Sequence, residues 1–244
     1  MQNLKQILAI IAIAFITYGT ANTQTISKLE INSTITSRHY WRGIMVNNSA
    51  NIETDITYSS KRLNIGVWGG YAFNNKYSEL DLHLSYRITK NISLSVWDLY
   101  ASRDRKSIDR YNYFDLKRES TNHLIDATLT YNFDNKLPLT IKWSTMLWGR
   151  DLDINGNQRY SSYAELEYRY KFKKTEINCF AGLNVFRNSI YAKHTNIVNT
   201  GIKVQKNISV MEKAEIPVWA IIALNPDTKT ANMIIGINLN LNNQ

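Results

Sequence analysis

Cysteine is almost missing: the chain of 244 residues has one, Cys179. A single thiol excludes an internal disulfide and any metal cluster built on cysteine. Proline is scarce as well, with 3 in all, and that leaves room for long uninterrupted strands. Apolar runs are short. The N-terminal one, Ile7 to Ile16, is about ten residues, too few to cross a bilayer as a helix. Beyond it no useful length has helical periodicity. Basic charge is plentiful, with a formal net charge of +9, but no Lys/Arg stripe with interleaved aromatics lies on a helix. Nucleic acid is therefore not the expected partner, and an anionic membrane surface is. No two of the 4 histidines share a ligand-like spacing, so no metal site is expected, and nothing implies a cofactor.

What is present begins with Lys5, the apolar run, and small residues at Gly19, Thr20 and Ala21. This is the pattern of a secretory signal peptide, residues 1–21, with a cut before Gln24 as the later option. Residues 22–244 then form one unit. Its clearest stretch is Tyr77 to Leu99. Leu80, Leu82, Leu84, Tyr86 and Ile88 alternate with Glu79, Asp81, His83, Ser85 and Arg87. That is a strand with two chemically opposite faces. Thr89-Lys90-Asn91 reverses the chain, and Ile92, Leu94 and Val96 alternate again.

The hairpin recurs nearly to the C-terminus. Besides the two strands of 77–99, strands are predicted at 27–38, 50–59, 62–73, 122–133, 138–148, 161–172, 175–186, 196–205, 208–224 and 231–241. The predicted links alternate between tight and longer. Ser60-Lys61, Thr89 to Asn91, Asp134 to Leu137, Lys173-Lys174 and Lys206-Asn207 are tight. Arg38 to Ser49, Ser102 to Thr121, Gly149 to Tyr160 and Arg187 to Thr195 are long. Asn74 to Lys76 and Asn225 to Lys229 belong to the second set but are short. The expectation is an all-β fold: a transmembrane antiparallel up-and-down β-barrel of about twelve strands in a bacterial outer membrane. At usual strand spacing and tilt its backbone radius is roughly 12 Å.

A soluble barrel or sandwich also alternates. Three features decide against it. Strands of about ten residues match a tilted membrane span. Aromatics gather near strand ends, with Tyr58, Tyr86, Tyr131, Phe133, Tyr170 and Phe172 at one end and Tyr71, Phe73 and Tyr100 at the other, as interfacial girdles do. The opposite face carries Glu79, Asp81 and Arg87, too charged for a dry core, because each buried unpaired charge costs several kcal/mol.

The lumen candidates follow from the same alternation: Glu53, Asp55, Glu79, Asp81, His83, Arg87, Asp126, Glu165, Glu167, Arg169 and Lys171. The carboxylates fall toward the long-loop ends of their strands and the basic residues lower down. Rings of Asp and Glu draw cations, while a network of salt bridges that merely fills the barrel is the plainer alternative. In the first long link, Arg42 is a pore-mouth candidate. The competing view makes Gly43 a turn and Trp41 an interface anchor. Asp151, Asp153, Asn155 and Gly156 open like a calcium loop, but the later acidic ligand is absent, which leaves a polar turn.

Two stretches carry a family resemblance. Tyr40-Trp41-Arg42-Gly43-Ile44 and Gly66-Val67-Trp68-Gly69 resemble the N-terminal pattern of the TorF-type porins. Ile216-Pro217-Val218 and Asn225-Pro226 are similar to the final hairpin of Bacteroidetes-type outer-membrane barrels. The chain departs from the usual barrel ending, since its last residue is Gln244, not an aromatic. The resemblance implies passage of small polar solutes, with outer-membrane lipids as surroundings. Two other functions fit such a barrel. One is a lipid-modifying enzyme of the phospholipase or lipid A deacylase type, using His39 beside Ser37 or His123 after Thr121. The other is a structural barrel with a blocked lumen.

Overall fold

Alternation of this kind obliges each strand to find a neighbour on both edges, and a closed ring is the arrangement that leaves no edge. The computed structural model describes residues 27–101, 112–133, 137–211 and 214–240. The proposed signal peptide lies outside the described residues. Every regular element described is a strand. They are β1 (Ser27–Thr36), β2 (His39–Trp41), β3 (Ile44–Asn47), β4 (Asn51–Ser60), β5 (Leu63–Ala72), β6 (Ser78–Arg87) and β7 (Ile92–Tyr100). They continue with β8 (His123–Asn132), β9 (Leu139–Gly149), β10 (Ser162–Phe172), β11 (Thr175–Asn184), β12 (Asn196–Met211), β13 (Ala214–Asn225) and β14 (Thr230–Asn240).

All but β2 and β3 form a closed antiparallel barrel of 12 strands. Sequence neighbours pair in order from β4 to β14. β1 closes the ring, between β14 (Asn32 opposite Asn240) and β4 (Ser27 opposite Ser60). The faces sort as the alternation requires. Leu29, Ile56, Ile65, Leu82, Leu166 and Met233 are exposed outside, whereas Asp81, His83 and Asp126 are buried within. Tyr58, Tyr86, Tyr131, Tyr170 and Phe172 are exposed near the short-turn end, and Tyr71 and Phe73 near the other.

Two expectations are corrected. Lys206-Asn207 is not a turn. β12 runs on to Met211, with Lys206 opposite Val218 and Asn207 opposite Pro217. The outward alternation of Val204 and Ile208 continues through the polar pair and holds it in the strand. Pro217 is tolerated because β14 pairs with β13 only from Val218 onward, so the missing N–H falls where one edge is open. The strand predicted at 208–224 therefore begins at Ala214.

The second correction concerns the predicted link from Arg38 to Ser49. It holds the two-stranded hairpin β2–β3, with Tyr40 opposite Met45 and Trp41 opposite Ile44. This hairpin folds into the barrel from the long-loop end. Trp41 and Ile44 pack on an internal apolar cluster of Leu99, Leu124, Met146, Tyr163, Tyr191, Ala192 and Val198. Trp41 is thus not an interface anchor. Indole and isoleucine surface is better removed from water against these side chains than left in a solvated loop.

Candidate functional site

The tip of the hairpin is Arg42-Gly43, both at positive φ (47° and 87°). Gly43 fits because a Cβ there would collide with the Val198 carbonyl. Its own carbonyl accepts from Asn225 Nδ2 at 3.0 Å. Arg42 projects across the lumen. Its guanidinium donates to Asp126 Oδ2 (2.7 Å), Thr128 Oγ1 (3.2 Å) and the Tyr191 hydroxyl (3.0 Å). It also lies over the rings of Trp41 (4.7 Å) and Tyr163 (5.5 Å). Burial acts against its charge, but Tyr191 and Asp126 outweigh that and shift its pKa upward. Gly43 therefore turns the chain, and Arg42 reaches into the barrel lumen.

The hairpin separates the lumen candidates into two groups. On one side lies a cavity of about 890 Å³, lined among others by Glu53, Glu79, Asp81, Asp126, Trp68 and Trp97. On the other lies a smaller one of about 250 Å³, lined by Tyr40, Glu165, Glu167, Asn178, Lys203 and others. Arg42 lines both.

On the larger side, Glu53 meets His39 Nδ1 at 2.8 Å, and that imidazole is stacked on Tyr77 at 5.3 Å. Asp55 meets His83 Nε2 at 2.9 Å and accepts the Thr57 hydroxyl. His83 stacks on Trp97 with centroids 4.4 Å apart. Gly66 is bare at the place a Cβ would strike this imidazole. The Gly-x-Trp step thus makes room for His83 and aims Trp68 into the cavity. Glu79 accepts from the Tyr77 hydroxyl, and Asp81 accepts the Tyr100 backbone N–H at 2.9 Å.

On the smaller side, Lys142 Nζ bridges Glu165 (3.1 Å) and Glu167 (2.9 Å), and the Tyr163 hydroxyl donates to Glu165 at 2.5 Å. Three candidates are not brought into either group. Arg169 is half exposed between Glu167 (3.4 Å) and Glu176 (3.5 Å). Lys171 is exposed opposite Glu176. Arg87 bonds the Lys61 carbonyl at 2.9 Å at the short-turn end.

Sequence reasoning missed Tyr163, Tyr191 and Asn199 as the hairpin's seat, with Asn199 accepting from the Tyr40 hydroxyl at 3.1 Å. A usable signal was there: Tyr40, Trp41, Ile44, Met45 and Val46 are too apolar for a solvated loop. It also missed Asp98, which meets His123 Nδ1 at 2.8 Å. Asp98 pairs with outward Leu82, so this pair sits on the outer face, beneath the 112–121 segment. His123 Nε2 meets the Tyr113 carbonyl at 2.6 Å. The hydroxyls suggested for a dyad are engaged elsewhere: Thr121 accepts the His123 backbone N–H and Ser37 that of Ile235. In the suggested calcium loop, Asp153 accepts the backbone N–H groups of Asn155 and Asn157 at 2.8 Å each, and these hold its carboxyl below the usual range.

No family model and no curated protein matches the chain. Among solved structures it is similar to a triple mutant of the Rhodopseudomonas blastica porin, at 13% identity and a TM-score of 0.39, over 78% of this chain and 55% of that one. A second mutant of that porin gives 11% identity and a TM-score of 0.40 over the same shares. The chain thus spans about half the length of the porins it matches. A structure from a study of in-meso crystallization of membrane proteins gives 6% identity and a TM-score of 0.47, over 87% of this chain and 83% of that one.

Proposed function

We propose that the chain is an outer-membrane β-barrel of porin type, exported by a cleaved signal peptide, whose lumen passes small polar solutes around the β2–β3 hairpin. One observation carries this reading: the molecule is inside out. Its outer wall exposes a belt of large apolar side chains, and its lumen holds Asp81, His83 and Asp126. Lipid suits that exterior, and water and ions suit that interior. The two cavities beside the hairpin are the candidate route. The test is current across a planar bilayer holding the purified barrel. Discrete steps are expected, rising severalfold when residues 39–47 are replaced by a short Gly-Ser linker. Silence in both proteins would leave a blocked structural barrel. The lipid-modifying alternative has one observation in its favour, the His123–Asp98 pair on the lipid-facing wall. It requires phospholipid or lipid A cleavage that is lost in His123→Ala.

A further inference from the structure

We infer that the larger cavity is a binding site for an organic ammonium ion with an apolar body. The cavity, of about 890 Å³, is lined by two unlike sets of side chains, apolar and acidic. The hairpin side and the barrel mouth supply Ile44, Val46, Leu99 and Leu124. The rings of Trp41, Trp68, Trp97 and Tyr77 line it too. The barrel wall supplies the carboxylates. Glu53 and Asp126 are in ion pairs, with His39 and Arg42, while Glu79 accepts from the Tyr77 hydroxyl and Asp81 has Arg150 as a charged neighbour. Asp126 is 2% exposed, and its Oδ1, unlike Oδ2, has no hydrogen-bond partner. An unpaired buried carboxylate oxygen in a cavity wall calls for a donor.

Four basic side chains also line the space, but two are already engaged: Arg42 by Asp126, and Lys142 by Glu165 and Glu167. Arg150 has partners of its own, Asp81 among its charged neighbours, and Lys76 is the fourth. A small inorganic cation has no use for the aromatic and aliphatic wall. A neutral sugar makes no use of the carboxylates' charge. An ammonium group on an apolar body answers both sets, with its charge toward Asp81 and Asp126 and over the indole faces, and its body against Ile44 and Leu124. Occupancy of the cavity is an equilibrium property and needs no flux, so the site goes beyond the channel reading and can fail separately from it.

The experiment titrates 3-phenylpropylammonium chloride into the folded barrel in detergent micelles, by calorimetry and by tryptophan quenching. Potassium chloride, maltose and neutral 3-phenylpropan-1-ol serve as comparators. Saturable binding of the ammonium alone is expected. The Glu79→Gln/Asp81→Asn variant should weaken it about tenfold or more, since charge-assisted contacts are lost. Trp97→Leu removes an aromatic wall without touching a carboxylate, should also weaken binding, and decides the matter if the first variant does not fold. No saturable binding, equal binding of the alcohol or maltose, or unchanged affinity in the folded variants overturns the site. A barrel that binds but carries no current keeps the site and loses the channel. One that conducts but does not bind does the reverse.

Discussion

At the scale of a residue, Arg42 has more consequence than any other side chain in the lumen. It joins the hairpin tip to the barrel wall, and its removal would leave Asp126, at 2% exposure, as a buried charge without a cation. Breaking one partner of such a pair costs about 3–5 kcal/mol, whereas replacing both by apolar groups is often nearly neutral. Arg42→Ala is therefore expected to lower stability by about that amount in urea unfolding of the micelle-bound barrel. Arg42→Met with Asp126→Leu should recover most of it. Equal losses in the single and double variants would show that the pair is not coupled. The position was legible in the sequence because an aromatic-Arg-Gly step stands out in a polar link. Its partners were not, because Asp126 and Tyr191 lie 84 and 149 positions further along. Period-2 patterning says which face a residue takes, not which side chain a folded-in loop will meet.

Strands were the most legible elements, since alternation and turns act together over each one. β4, β5 and β10 lie within one residue of their predicted ends. The short hairpin β2–β3 was not legible as a hairpin, because three- and four-residue strands are too brief to show a period. The end of β12 was lost to the opposite error, when a Lys-Asn pair typical of turns outweighed the continuing alternation. Lys61, Lys90, Lys173 and Lys174 do sit at the short-turn end, and a shared chemistry there suggests anionic headgroups on the periplasmic side, at about 1 kcal/mol per lysine or less. Cys179 faces outward and is exposed, so labelling needs a Cys179→Ser background. In that background, Lys90→Cys should resist an impermeant thiol reagent on intact cells. Ile154→Cys, in a long loop where the side chain is 97% exposed, should react. The reverse pattern would invert the barrel. On the outer wall, His123 holds the 112–121 segment through the Tyr113 carbonyl. His123→Ala should speed limited proteolysis within that segment while the barrel itself stays resistant, and an unchanged cleavage rate would mean that the bond does not restrain the loop.

At the scale of the whole molecule, a basic chain folds around a lumen with an acidic wall. The formal net charge is +9, yet the wall of β4 and β6 presents Glu53, Asp55, Glu79 and Asp81 toward the lumen, with imidazoles as the neighbours of the first two. Charge on the outside is screened by bulk water. Charge inside a narrow, low-dielectric tube focuses its field along the axis. The lumen should therefore set ion preference, and the net charge should not. On this view the wild-type barrel in a salt gradient gives a reversal potential on the cation side. The two groups of carboxylates are not equivalent in what they leave behind. Glu165 and Glu167 hold Lys142 between them, so neutralising both exposes a fixed positive charge beside the hairpin. That variant should move furthest toward anions, and adding Lys142→Met should bring it part of the way back. Glu79→Gln with Asp81→Asn leaves Lys142 paired with Glu165 and Glu167 and should shift the potential less. Both shifts should shrink as salt rises from 0.1 M to 1 M, because the screening length falls from about 10 Å to about 3 Å. An anion-preferring wild type, or shifts that ignore salt, would mean that the carboxylates only brace the barrel against their partners and that the field along the axis comes from elsewhere.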